Sequence, residues 1–370
     1  MSTFDLLARS GAARAGVLHT AHGDIHTPAF MPVGTHAAVR ALHPDEVRAS
    51  GAEVLLCNAY HLALRPGADV IERAGGLHTF MGWDGPILTD SGGYQLVSLS
   101  RVASVDEDAA EFVSPFDGTR MRVTPEEAVR IQERLGADIV MCLDHPVPWG
   151  ATADLVRAAT ARTHRWAQRC LAARGAGKGL LFGIAQGGFE EELRRESAQT
   201  IAAMGFDGLA VGGLSVGEPR DVMLAMTEAS LAQFPDDQPR YFMGLGTESE
   251  LVSAVALGVD VFDCVVPTRL ARHATALTGE GHVSLRNAAY REDARPLEEG
   301  CECAACARFS RAYLRHLFAA GEILAHRLVT QHNLTYMSRL MSTLRTAIVA
   351  GRFASVELRS QQGQAAPTPG

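Results

Sequence analysis

Eight short apolar runs, each ending in or near a polar residue or glycine and separated by helical stretches, most narrow what this 370-residue chain can fold into. They lie at 29–33, 54–58, 86–90, 139–144, 180–186, 208–213, 241–246 and 259–263. Continuous apolar runs of this length read as strands buried on both faces of a parallel sheet. Eight such strands separated by helices are what a (β/α)8 TIM barrel requires. The helices carry their own punctuation. Thr124, Pro125 and Glu127 predict an N-cap, a proline at N1 and a capping box, with the helix running to about Leu135 and stopping at Gly136. A second helix is expected over 248–257, stopped by Gly258.

Asn58, Asp90, Asp144, Gln186, Gly213 and Asp263 all close their runs. In a barrel those carboxyl ends share one mouth, where active sites are built. The run through Val261, Phe262, Asp263 and Cys264 is the most telling, because an ionised Asp inside an apolar strand is costly unless it is paired or used. Two insertions are expected, at 91–123 after Asp90 and at 266–310 after Asp263, the second holding a hairpin that turns near Gly279-Glu280-Gly281.

Composition removes several classes. With 47% hydrophobic and 21% charged residues the chain is that of a soluble globular protein. No apolar run approaches the ~20 residues of a membrane span. Met1-Ser2-Thr3-Phe4-Asp5 lacks the basic-then-apolar pattern of a signal peptide, so a cytoplasmic protein with no membrane partner is expected. The net charge of −8 conceals a gradient: residues 266–352 hold 12 Arg against 7 acidic residues. A basic C-terminal third on an acidic body suits a local phosphate-binding face.

Three of the seven cysteines crowd into Cys301, Cys303 and Cys306. Such a cluster outside an oxidising compartment points to a metal before a disulfide. Three thiolates with one imidazole, from His326 or His332, make a closed tetrahedral zinc set that leaves no position for water, hence one structural Zn2+. The fold class expected is thus α/β: a (β/α)8 barrel with a C-terminal zinc-binding helical subdomain. The divisions are a β-rich lead-in (1–26), the barrel with its insertions (27–300), the zinc-binding helices (301–352) and a disordered tail (353–370).

Asp90-Ser91-Gly92-Gly93-Tyr94-Gln95, Gln186-Gly187-Gly188, the stretch from Gly212 through Gly213, Leu214, Ser215, Val216 and Gly217 to Glu218, the segment from Phe262 to Arg269, and the cysteine cluster together resemble the bacterial tRNA-guanine transglycosylases (queuine tRNA-ribosyltransferases) from about Thr27 to Arg352. The resemblance implies a homodimeric enzyme that exchanges guanine at the wobble position (34) of certain tRNAs for a 7-deazaguanine, with pre-queuosine 1 first among the candidates. It implies Asp263 as nucleophile and Asp90 as general acid/base. Asp144, Gln186 and Gly213 would hold the base, with Ser91, Gly92 and Gly93 beside it. Tyr94 would stack on one face and Met243 lie on the other. Leu214 would offer a carbonyl to the incoming aminomethyl group, with Glu218 behind it. The tRNA would meet Gly244, Leu245, Gly246, Thr247, Glu248, Ser249 and Glu250, and Thr268, Arg269, Leu270, Ala271 and Arg272. His332 becomes the fourth metal ligand. The chain departs from the pattern at His145 and Pro146, where an acidic residue and a cysteine are expected, and at Leu270 and His273.

The chemistry asks for the same residues. Replacing one base on a ribose by another with retained configuration takes two displacements, as in retaining glycosidases. One carboxylate attacks C1′ and holds the sugar; a second group protonates the departing base and deprotonates the arriving one. A guanine edge offers N1–H and N2–H donors that suit Asp144, and an O6 acceptor that suits the Gln186 amide and the Gly213 N–H. A base taken out of its loop needs a ring such as Tyr94 to stack on. A silent tRNA-binding relative would have lost Asp90 or Asp263, and both are present.

Overall fold

A computed structural model describes residues 3–94, 103–176, 179–354 and 356. The chain opens with an antiparallel meander of β1 (Phe4–Ser10), β2 (Ala13–Thr20) and β3 (Gly23–Thr27). Eight parallel strands then close a barrel: β4 (Ala29–Gly34), β5 (Leu55–Asn58), β6 (Ile87–Asp90), β10 (Ile139–Met141), β11 (Leu180–Ala185), β12 (Gly208–Val211), β13 (Arg240–Phe242) and β14 (Val261–Cys264). They are the eight runs read from the sequence, in the same order. Between β6 and β10 the first insertion forms a small antiparallel sheet of β7 (Ala103–Val105), β8 (Ala110–Val113) and β9 (Arg120–Val123). The second holds the helix Val266–Arg272 and the hairpin β15 (Thr275–Thr278) and β16 (Gly281–Ser284), where Thr278 pairs with Gly281 across the expected turn.

Large side chains are buried along the strands: Tyr241 points inward to Asp263, so its neighbour Phe242, like Phe262 beside Asp263, faces the surrounding helices. The lead-in sheet covers the amino-terminal end of the barrel. Buried Arg14 of β2 donates to Asp260 Oδ1 at 3.1 Å, just before β14. His22 Nδ1 and His78 Nε2 meet opposite oxygens of Asp138 at 2.7 and 3.1 Å, just before β10. A buried cation and a buried carboxylate are tolerable here because each has a partner.

The helix Pro125–Leu135 starts and stops where expected, with Gly136 in the left-handed region at φ +75°. Only half of the capping box forms. The Thr124 hydroxyl accepts from the Glu127 N–H at 3.2 Å, but no return bond from the Glu127 side chain accompanies it. The apolar cluster around the zinc-type ligands begins at Ala271 and runs through Val283, Leu285 and Leu297 before reaching Cys301. The long helix Ile323–Val349 packs along the lead-in sheet and the helix Val266–Arg272, so the C-terminal helices share their core with the second insertion. Of the tail, Phe353 is buried in the main core, and 357–370 lie outside the described residues.

Candidate active site

Asp90 ends β6 beside Asn58, which ends β5; the two are paired in the strand register. The Asn58 amide donates to Asp90 Oδ2, and the Ala59 N–H donates to Oδ1 at 2.9 Å. Burial pushes the Asp90 carboxyl up to about 7, with the charges of Asp263 and Asp144 adding to the rise and the Ala59 and Asn58 donors opposing it. Across the mouth, Asp263 of β14 uses one oxygen only. Oδ1 accepts from the Tyr241 hydroxyl at 2.6 Å and from the Gly244 N–H at 2.8 Å. Among the described residues nothing hydrogen-bonds Oδ2. Burial raises this carboxyl too, and the Tyr241 and Gly244 bonds restrain the rise. One carboxylate is therefore poised to hold or release a proton near neutrality, and the other is clamped by one oxygen with its second open.

Asp144 and Gln186, just past β10 and β11, are both buried, and the Gln186 amide donates to Asp144 Oδ2 at 2.6 Å. Burial lifts Asp144 to about 6 against that bond. Two glycines let backbone reach this pair. A Cβ on Gly93 would stand 2.0 Å from Asp144 Oδ1. One on Gly213, at φ +67°, would stand 2.2 Å from Gln186 Oε1. No side chain larger than hydrogen fits at either place. Ser91 and Gly92 are buried in the same turn, whereas Tyr94 is 58% exposed, with no ring partner among the described residues; Gln95 lies outside them. Leu214 is buried, Met243 is half-buried, and the Glu218 carboxylate accepts from the Ser215 and Val216 N–H groups.

The four ligands expected of the metal centre converge. Sγ of Cys301, Cys303 and Cys306 lie 3.6, 3.5 and 3.3 Å from His332 Nδ1. Zn–S near 2.3 Å and Zn–N near 2.0–2.1 Å at tetrahedral angles require S···N of about 3.5 Å. His332 Nε2 donates to the Leu277 carbonyl at 2.7 Å, which leaves Nδ1 as the ligand. His326 instead stands edge-on to Phe318. His22, His78 and Asp138 also come together, but their imidazoles stack at 3.6 Å and 19°. Ring lone pairs lie in the ring planes, so two stacked rings aim side by side and not at one ion; this cluster is a clasp.

Comparison with known proteins decides the family. The sequence profile described as Queuine tRNA-ribosyltransferase matches residues 9–364. The Queuine tRNA-ribosyltransferase of Thiobacillus denitrificans (strain ATCC 25259 / T1) is 50% identical over 362 residues, 98% of this chain and 99% of the relative. That of Methylobacillus flagellatus (strain ATCC 51484 / DSM 6875 / VKM B-1610 / KT) is 51% identical over 361 residues, 98% of each. That of Zymomonas mobilis subsp. mobilis (strain ATCC 31821 / ZM4 / CP4) is 48% identical over 357 residues, covering 95% of this chain and 92% of the relative. The chain belongs to the queuine tRNA-ribosyltransferase family.

For a member of the queuine tRNA-ribosyltransferase family, the segments expected to meet tRNA divide by exposure. Gly244, Thr247 and Glu248 are exposed, and Ser249 and Glu250 half-buried. Leu245, Gly246, Thr268 and Ala271 are buried, so they lie beneath the surface, and the Leu245, Thr268 and Ala271 side chains support it from below. Glu248 accepts from the Tyr336 hydroxyl, and Glu250 from the Thr247 hydroxyl. Arg269 is exposed, while Leu270 and Arg272 are half-buried. The departure at His145 turns away from the base pair of residues: its Nδ1 accepts from the Arg162 guanidinium at 2.9 Å, and burial beside that cation holds the ring down at about 4.

Two residues at the site escape the sequence reading. Tyr241 lies inside an apolar run, where only its buried hydroxyl hints at a polar neighbour. Arg194, fully buried in the helix Glu191–Ala202, donates to the carbonyls of Gly212 at 2.8 Å, Gly188 at 2.7 Å and Ala185 at 3.3 Å. Burial lowers its guanidinium to about 9. It ties together the backbone on which Gln186 and Gly213 sit.

Proposed function

We propose that the protein exchanges guanine at tRNA position 34 for a 7-deazaguanine, with pre-queuosine 1 as the incoming base, through a covalent tRNA–aspartyl intermediate. The observation that carries this reading is the contrast between Asp263, with Oδ1 clamped and Oδ2 open, and Asp90, which titrates near 7. Asp263 Oδ2 attacks C1′ as the bond to guanine breaks, and the Asp90 proton passes to the departing base. The arriving base gives its proton to Asp90 and attacks C1′, and the bond from C1′ to Asp263 breaks, leaving both aspartates as they began. Two inversions return the starting configuration. Asp144 accepts from the base N1–H and N2–H, while Gln186 and the Gly213 N–H donate to O6. Ser91, Gly92 and Gly93 let the base approach Asp144. Tyr94 and Met243 cover its faces, and the Leu214 carbonyl receives the aminomethyl group.

The anticodon arm lies over the 244–250 segment and over Thr268, Arg269, Leu270, Ala271 and Arg272. Cys301, Cys303, Cys306 and His332 hold one structural Zn2+, whose chemistry is to cross-link the chain where the second insertion meets the long helix. The same reading has the enzyme work as a homodimer in the cytoplasm. The test is incubation with tRNA labelled in guanine 34 and a panel of free 7-deazaguanines. The label should be released with pre-queuosine 1, and a denaturation-resistant protein–tRNA adduct should accumulate without it. Asp263→Ala should abolish both. Exchange that persists in that variant would overturn the mechanism.

A further inference from the structure

We propose that Trp149, seated on Phe189, is a stacking ledge for the anticodon-loop nucleotide beside the exchanged guanine; this rests on the tRNA reading above. Of the three tryptophans, Trp83 and Trp166 are 1% and 0% exposed, whereas Trp149 is 45% exposed. A lone exposed ring needs no explanation by itself; Trp149 differs in being held in place from two sides, by its turn and by Phe189. Its backbone is set in advance. Pro146 and Pro148 restrict the segment, and Val147 between them is buried against Val156 and Ala159. The Ala151 N–H donates to the Pro148 carbonyl at 3.2 Å and Gly150 takes φ +83°, so Trp149 occupies the corner of a tight turn. Phe189 meets the indole edge-on, with centroids 4.4 Å apart at 84°.

The place follows from chain connectivity. Trp149 leaves the barrel mouth on the segment after Asp144, and Phe189 on the segment after Gln186, the two residues joined at 2.6 Å where the base would bind. Three residues span at most about 11 Å, so Phe189 stays within that reach of Gln186. A nucleobase pulled from an anticodon loop forces its neighbours to unstack, and an aromatic face is the sequence-tolerant partner for such a base. An indole already fixed by its turn loses little freedom when the base arrives.

The test uses the full protein and an anticodon stem–loop with guanine at the wobble position. Because the other two tryptophans are shielded, the stem–loop should quench the wild-type emission saturably, and Trp149→Phe should remove that signal. Trp149→Ala should raise KM for tRNA about tenfold or more, while kcat and KM for the free base change less than about twofold, and Trp149→Tyr should recover most of the loss. An unaltered KM for tRNA in Trp149→Ala, in a wild type that exchanges guanine, would sink the ledge and leave the activity reading intact. Emission that shifts with protein concentration in the absence of RNA would overturn it in favour of a second copy of the chain on that ring. Failure of the wild type to exchange guanine would remove the activity reading first.

Discussion

Asp90 and Asp263 are the same residue type on two strands of one barrel, and their neighbours make them chemically different. Asp90 is raised to about 7 by burial, with some help from two nearby carboxylates and against two donors. It is protonated below that pH and ionised above it. Adduct formation, which needs the proton, should therefore hold below about pH 7 and fall about tenfold per pH unit above it. Discharge of the adduct by the incoming base needs the ionised form and should slope the other way. Rapid-quench measurement of the two half-reactions checks this, and parallel slopes would assign the proton to another group. Both aspartates were legible in the sequence because each puts a carboxylate at the end of an apolar run. Tyr241 was not, because its partner Asp263 lies 22 residues along the chain and meets it only when β13 and β14 pair.

At the scale of elements, strands announced themselves because burial on both faces leaves an unbroken apolar run, and their exits announced themselves because a site needs polar groups there. What the elements could not reveal was how close their exits come. Gly213 illustrates it: its φ of +67° demands glycine, but the 2.2 Å approach to Gln186 Oε1 belongs to the β11–β12 neighbourhood. Gly213→Ala should lower stability by about 1–2 kcal/mol through the left-handed backbone. It should also raise KM for the free base about tenfold or more by displacing the Gln186 amide. Gly321→Ala, at φ +74° with nothing within 4 Å of the added Cβ, should show a similar loss of stability and an unchanged KM. Thermal melts and base-exchange kinetics on the pair separate strain from site geometry; equal KM values would refute the steric account. The half-formed capping box at Thr124 has a related cause, since a motif names the partners but packing decides which bonds close.

Across the whole molecule, the zinc-type centre is tied to the barrel mouth through two consecutive residues of one helix. His332 bonds Leu277, and its neighbour Asn333 donates to the carbonyls of Pro267 at 2.9 Å and Thr275 at 3.1 Å while accepting from the Leu277 N–H at 2.9 Å. The helix carrying Arg269 and Arg272 is thereby pinned by the segment that the metal would cross-link. Removing the metal with a strong chelator should release one Zn2+ per chain, expose 266–310 to proteolysis and raise KM for tRNA more than KM for the free base. Chelated protein with an unchanged digestion pattern would break the proposed link between the centre and the tRNA face.

Strand number, strand order, the rim residues and the cysteine cluster were determined by sequence alone, because local burial pattern and ligand spacing are properties of neighbouring residues. Tertiary structure alone decided which oxygen of Asp263 is free, that Arg194 braces the Gly212 and Gly188 carbonyls, and that Ala271 and Leu245 face inward. Those facts depend on contacts between residues far apart in the chain, and a hydrogen bond or a buried charge is set by what surrounds it in space.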